Sequence, residues 1–210
     1  EVKSPIIVLH DSLLPKYRGF SPLVSCLING ETKIGVTAIF ANDEYDKGNI
    51  IDQELTEITY PIKIKNAIEK ITVCYTQIVM NIFNTIKSGD ELDSIPQNEK
   101  DASYSLWRDD LDYQIDWSRS ANSIKRFIDS VGYPYKGAIT KLENKLVVIL
   151  ESTVMENVKI ENRMVGKLIY YNNDKPVIVC GDGLIRLDEV VYQDSRESIL
   201  PLKKFRTRFL

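Results

Sequence analysis

Histidine occurs once in this chain of 210 residues, cysteine three times, and an apolar run of membrane-spanning length not at all. Cys26, Cys74 and Cys180 are odd in number, widely spaced and never in a CxxC arrangement, so neither a disulfide framework nor a zinc site is indicated. They read as reduced and packed, and no metal is expected. A spanning helix needs roughly 20 consecutive apolar residues, and the first residues lack the basic, apolar and small-residue order of a signal peptide. The expectation is a cytoplasmic protein without a membrane partner. Charge of one sign is also scarce: 27 basic against 30 acidic residues leave a net charge of −3, which argues against a broad nucleic-acid surface. No internal repeat or low-complexity tract is visible.

What is present fits a folded chain of one or two domains, since 43% of the residues are hydrophobic and 27% charged. The run Pro5 to Leu9 is short and β-branched, as in a buried strand of a parallel sheet. Ser21 to Gly30 opens Ser-Pro and closes Asn-Gly, which predicts a helix with Pro in its first turn and Gly at its C-cap. Lys33 to Phe40 is strand-like again, and the polar loop ANDEYDKGN follows it. That order is that of an α/β sheet, whose ligand crevice lies beyond the carboxyl ends of the strands. His10 follows the first strand and the acidic loop follows the second, so both should reach one crevice.

Ile62 to Lys87 predicts a long helix, with a core stripe through Ile64, Ala67, Ile68, Ile71, Tyr75, Ile78, Val79, Ile82, Phe83 and Ile86, and Gly89 as its stop. Residues 97–117 are polar and aperiodic and read as a linker. A shorter helix over 118–130 follows, and then strands joined by tight turns at Glu143–Asn144, Asn172–Lys175 and Gly181–Gly183. These suggest a small β-barrel or open sheet. The boundaries expected are 1–96, 97–117 and 118–210.

Three phrases occur in order at sensible spacing: HDSLLPKYRG from His10, GVT at Gly35 to Thr37, and DKGNIIDQ from Asp46. Together they resemble the formyltransferases that use 10-formyltetrahydrofolate, the family of methionyl-tRNA formyltransferase. The later stretches ASYSLWRDDLDYQIDW, VGYPYKGAIT and VIVCGDGLIRLDEV resemble the linker and C-terminal barrel of its two-domain members, and DYQIDW most resembles those that formylate amino sugars on nucleotide carriers. The resemblance implies an α/β fold: part of a Rossmann-like catalytic domain followed by a small OB-like β-barrel. It implies His10 and Asp46 as catalytic residues, and folate contacts at Ser12, Leu13, Leu14, Pro15, Asn42, Asp43 and Tyr45. Acceptor contacts fall on Arg18 and Trp107. A homodimer is left open.

Two departures stand out. The family carries an Asn two residues before the histidine, where this chain has Val8. The family also has strands and helices upstream of the histidine strand, so the chain reads as lacking that N-terminal part.

The chemistry gives each residue type a reason. An amine attacking a formyl carbon must lose a proton, and a neutral imidazole accepts one near neutral pH. An aspartate hydrogen-bonded to the ring would fix its tautomer and favour the protonated form. An Asn amide would donate to the oxyanion, and Val8 cannot. Plainer roles stand beside these: Asp11 and Ser12 as caps of the next turn, Arg18 in a surface ion pair, Trp107 and Arg108 in interdomain packing. The tail KKFRTRF reads as a solvated face. Three functional readings remain: formylation of an amino-sugar nucleotide, formylation of methionyl-tRNA, and a non-catalytic remnant serving as a binding module.

Overall fold

The computed structural model describes residues 5–210, which divide into two units, with the chain passing from the first to the second between Trp107 and Arg108. Residues 61–64 group with the second unit.

In the first unit, strand β1 (Ile7–His10) is followed by the two-residue strand β2 (Arg18–Gly19), helix α1 (Pro22–Asn29), and strands β3 (Lys33–Phe40) and β4 (Ile50–Glu57). Helix α1 starts and stops where the sequence directs. Pro22 occupies its first turn, and Gly30, at φ 81°, turns back so that its N–H bonds Leu27 O. The sheet order is β1-β3-β4, and both pairings are antiparallel. The parallel strand expected for the first run is thus corrected. The expected burial is corrected too, since Ile6 and Val8 are exposed and Ile7 and Leu9 only half-buried; a short β-branched run carries neither strand direction nor the cover its faces receive.

Strand β4, IIDQELTE, has no counterpart in the sequence reading. It is a sheet edge whose residues alternate between half-buried and exposed from Asp52 onward, and its acidic side chains suit an edge that must not recruit another strand.

Helix α2 (Ile64–Ser88) buries Ile64, Ala67, Ile71, Cys74 and Ile78 at spacings of three and four. Val79, Phe83 and Ile86, expected in the same stripe, are exposed. Val79, next to the fully buried Ile78, lies off the buried stripe, and length explains the exposure of Phe83 and Ile86. Twenty-five helical residues extend about 37 Å, whereas the eight-residue strands they cover extend about 27 Å. The final turns therefore overrun the sheet. The polar stretch read as a linker contributes strand β5 (Tyr104–Ser105), which pairs with β2 in parallel within the first unit.

The second unit opens with helix α3 (Ala121–Ser130), capped by the Ser120 hydroxyl, which accepts from Ser123 N. Five antiparallel strands follow: β6 (Ala138–Leu142), β7 (Lys145–Met155), β8 (Leu168–Asn172), β9 (Lys175–Val179) and β10 (Leu184–Tyr192), in the order β6-β7-β10-β9-β8. Asn173 and Asp174 both have left-handed backbone between β8 and β9, as a two-residue hairpin of this twist requires.

The edge strands are bridged by the segment read as a solvated tail. Phe209 pairs with Leu142, and Arg208 with Lys167. The Phe209 ring is buried with its centroid 5.9 Å from that of Trp117, although Lys203, Lys204 and Arg206 are exposed as expected. All three cysteines are free and buried. No described helix is long and apolar enough to cross a membrane.

Candidate functional site

Across the first sheet, His10, Thr37 and Gln53 form one row, because His10 pairs with Thr37 and Thr37 with Gln53. Thr37 is fully buried, and its hydroxyl is saturated. It donates to Ser12 O at 2.6 Å and accepts from Leu14 N at 3.0 Å and from Gln53 Nε2 at 2.8 Å. Gln53 Nε2 also reaches Leu14 O at 2.8 Å, while Ser12 Oγ donates to Lys16 O at 2.7 Å. The turn after His10 is thereby fastened to the strand beside it. Gly35 completes the fastening, since a Cβ there would collide with Glu54 O and the Leu13 side chain.

His10 and Asp46 lie together, but not by the route the sequence suggested. In an antiparallel pair the carboxyl end of β1 faces the amino end of β3, so the loop after Phe40 must return along the sheet to bring Asp46 to His10. Gly48 permits that return, because any Cβ there would strike Phe40 O. Asp46 itself is left-handed at φ 56°. Its Oδ1 stands 3.6 Å from His10 Nδ1, and its Oδ2 accepts from Gly19 N at 2.7 Å. The first distance is too long for a hydrogen bond. The expected direct bond from Asp46 to the imidazole is therefore absent, and the bonded partner of the ring is the Tyr17 carbonyl, 2.9 Å from Nε2.

His10 is only 7% exposed. Asp11, a second carboxylate nearby, takes a hydrogen bond from the Tyr75 hydroxyl. Burial pushes the Asp11 pKa up, and the charge of His10 opposes that shift. Among the described residues of the first unit, three non-glycine residues have left-handed backbone, Tyr17, Ser21 and Asp46, of which Tyr17 bonds His10 and Asp46 faces it. Strain of this kind costs about 1–3 kcal/mol per residue and gathers where function needs it.

Arg18 is neither a surface ion pair nor a free phosphate holder. It is 1% exposed, and its guanidinium donates to both carboxylate oxygens of Glu99 at 2.8 and 3.0 Å and to Gln97 Oε1 at 2.8 and 3.1 Å. Gln97 Nε2 in turn donates to the carbonyls of Asp46 and Gly48. The Arg18 charge thus braces the loop that carries Asp46. Gln97 and Glu99 were missed in the sequence because they lie in a stretch without periodicity, more than 75 residues from Arg18.

Among the residues assigned to folate, Ser12 and Leu14 are buried and Leu13 and Pro15 half-buried, while Asn42, Asp43 and Tyr45 are exposed, Tyr45 at 92%. Trp107 is 63% exposed. Val8 shares the strand face of His10, two residues away, and presents no polar side-chain atom there. Among the described residues no cluster of His, Cys, Asp and Glu could hold a metal ion.

Two family models match the chain: formyl transferase over residues 1–73, and formyl transferase, C-terminal domain, over residues 109–206. The methionyl-tRNA formyltransferase of Alkaliphilus oremlandii is 31% identical over 195 residues, covering 92% of this chain and 61% of that protein. The chain therefore spans about three fifths of the length of such relatives. A crystal structure of HypX from Aquifex aeolicus matches 93% of the chain and 34% of its own length, with a TM-score of 0.70 and 20% identity. The N-formyltransferase from Helicobacter canadensis, in complex with folinic acid and dTDP-3-aminofucose, matches 87% of the chain and 65% of its own, with a TM-score of 0.66 and 21% identity. At these identities the two structures establish a shared mixed α/β fold.

Proposed function

The chain belongs to the formyl transferase family, and on that premise we propose that it transfers a formyl group from 10-formyltetrahydrofolate to a primary amine, with His10 as the base. The observation that carries the reading is the pairing of buried His10 with half-buried Asp46, 3.6 Å apart on the matched motifs. The gap leaves Asp46 Oδ1 and His10 Nδ1 facing one another with no donor between them. An amine placed there can give its proton to the imidazole as it attacks the formyl carbon, the Asp46 carboxylate stabilises the imidazolium that results, and that proton passes to N10 of the leaving tetrahydrofolate as its bond to the formyl carbon breaks.

Folate is assigned to the exposed loop residues Asn42, Asp43 and Tyr45 and to Ser12, Leu13, Leu14 and Pro15 in the turn after His10. Neither Arg18, whose guanidinium is already engaged, nor Val8 contributes a donor.

For the acceptor, the DYQIDW phrase and the Helicobacter neighbour support an amino sugar on a nucleotide carrier. A second reading, methionyl-tRNA, is favoured by the sequence relatives and by one surface of the second unit. There, two neighbouring grooves that share Lys203 are lined by Lys145, Lys175 and Lys204 with Tyr171 and Phe205, beside Asp174 and Glu143, the latter paired with Lys204. Cations beside aromatic rings suit an RNA backbone and its bases.

Purified protein given 10-formyltetrahydrofolate with either dTDP-3-aminofucose or methionyl-tRNA is expected to formylate one of them. The His10→Ala variant should lose the activity by about 10²-fold or more, whereas Val8→Asn, which restores only the oxyanion donor, should change it little. Transfer that survives His10→Ala undiminished would overturn the proposal.

A further inference from the structure

His10 Nε2 lies 2.9 Å from the Tyr17 carbonyl oxygen, an atom that can only accept. The hydrogen between them must belong to Nε2. A neutral ring with its proton on Nδ1 would set two lone pairs against each other in a buried position, leaving the carbonyl unpaired.

The carbonyl is itself firmly held. Tyr17 N donates to Ser103 Oγ at 2.9 Å, and Ser105 Oγ donates to Tyr17 O at 3.3 Å. The Tyr17 hydroxyl donates to Glu31 Oε1 at 2.8 Å and accepts from Asn29 Nδ2 at 3.2 Å. These four anchors hold a non-glycine residue at φ 60°.

We infer that Tyr17 is a positioning residue that fixes the neutral His10 ring in its Nε2–H form, making Nδ1, the nitrogen facing Asp46, the one that takes the proton. In hydrolytic triads the carboxylate bonds the protonated Nδ1 and the outer nitrogen acts. Here a main-chain carbonyl takes the first task, and the carboxylate stands beside the working nitrogen. When Nδ1 gains a proton, both ring N–H groups face acceptors, so the imidazolium is held on both sides. Asp46 and Asp11 are the charged groups that face the ring. The assignment of a task to Nδ1 rests on the formyl-transfer reading; the tautomer does not.

The single histidine makes the test direct, because ¹⁵N spectra of imidazole-labelled protein contain one ring. At a pH where that ring is neutral, the whole protein should show a protonated Nε2 and a bare Nδ1. In Tyr17→Phe, which removes only the hydroxyl anchor, and in Ser103→Ala, which removes the amide anchor, the two nitrogen signals should move toward each other as the Nδ1–H form becomes populated. Amide spectra of each variant report whether the fold persists.

A bare Nε2 in the unaltered protein overturns the inference. So does a tautomer unmoved in both variants while their folds persist. Neither outcome depends on turnover, so an inactive protein with the Nε2–H ring would refute the proposed function and leave this assignment standing. An active one with the Nδ1–H ring would do the reverse.

Discussion

Replacing Thr37 by valine changes almost nothing in shape and removes one oxygen. That oxygen serves three partners. Gln53 Nε2 keeps its second acceptor, the Leu14 carbonyl, but the Leu14 amide and the Ser12 carbonyl are left unpaired inside the fold. Each buried orphan costs about 1–3 kcal/mol, so Thr37→Val should destabilise the protein by about 2–6 kcal/mol, a large part of the 5–15 kcal/mol typical of a domain. Thr37→Ser keeps the oxygen and loses one methyl, worth about 1 kcal/mol. The order is opposite to the one that strand propensity or burial of apolar area would give, since valine is favoured on both counts. Urea titration followed by circular dichroism measures the difference, provided the denaturant slope is unchanged. Hydrogen exchange at the Leu14 amide locates it, because protection should fall in the valine variant and persist in the serine one. Equal stability of the two variants, or a valine variant more stable than the serine one, would refute the account of the turn after His10.

Within α2, Ile78→Asp should place an unpaired carboxylate in the core and cost several kcal/mol, whereas Phe83→Asp, in the overrunning turns, should change thermal melting by about 0.5 kcal/mol or less. Similar melting of the two variants would refute the boundary drawn between buried and exposed halves. Asp129 is buried, and burial raises its pKa above the usual carboxylate value against the pull of Lys125, whose Nζ lies 2.6 Å from both oxygens. In the window between the usual value and the raised one, the folded state binds more protons than the unfolded state. Stability should therefore rise as pH falls through that window, and Asp129→Asn should flatten the rise. Identical urea midpoints against pH for variant and parent would exclude Asp129 as its source.

The sequence announces those features whose causes are local. The Pro and Gly that bound α1, the Asn173–Asp174 turn, and the stripe from Ile64 to Ile78 depend on near neighbours and are found where the spacing places them. The motif phrases likewise give up His10, Thr37 and Asp46, the residues that the sheet row and the returning loop bring together. What stays hidden depends on distant parts of the chain. No local signal says that β1 runs antiparallel to β3, and a polar edge such as β4 looks like loop when one face is left to solvent. Arg18 reads as a surface charge until Gln97 and Glu99 close over it. The partner of His10 Nε2 is a backbone atom, so no side-chain pattern could reveal it.

The bridge at Phe209 also orders events in time. Thr140 and Leu210 hydrogen-bond across 70 residues of chain, and the Trp117 ring waits for the same segment. During synthesis, β6 and β7 can form their hairpin as soon as they emerge. The seam between β6 and β8 must stay open until residues 207–210 have left the ribosome. Until then the Trp117 ring lacks its Phe209 neighbour, and the end of β6 at Leu142 lacks its bridge and is open to other chains. Loss of residues 207–210 would thus leave the second unit with its five strands and without the bridge between their edges.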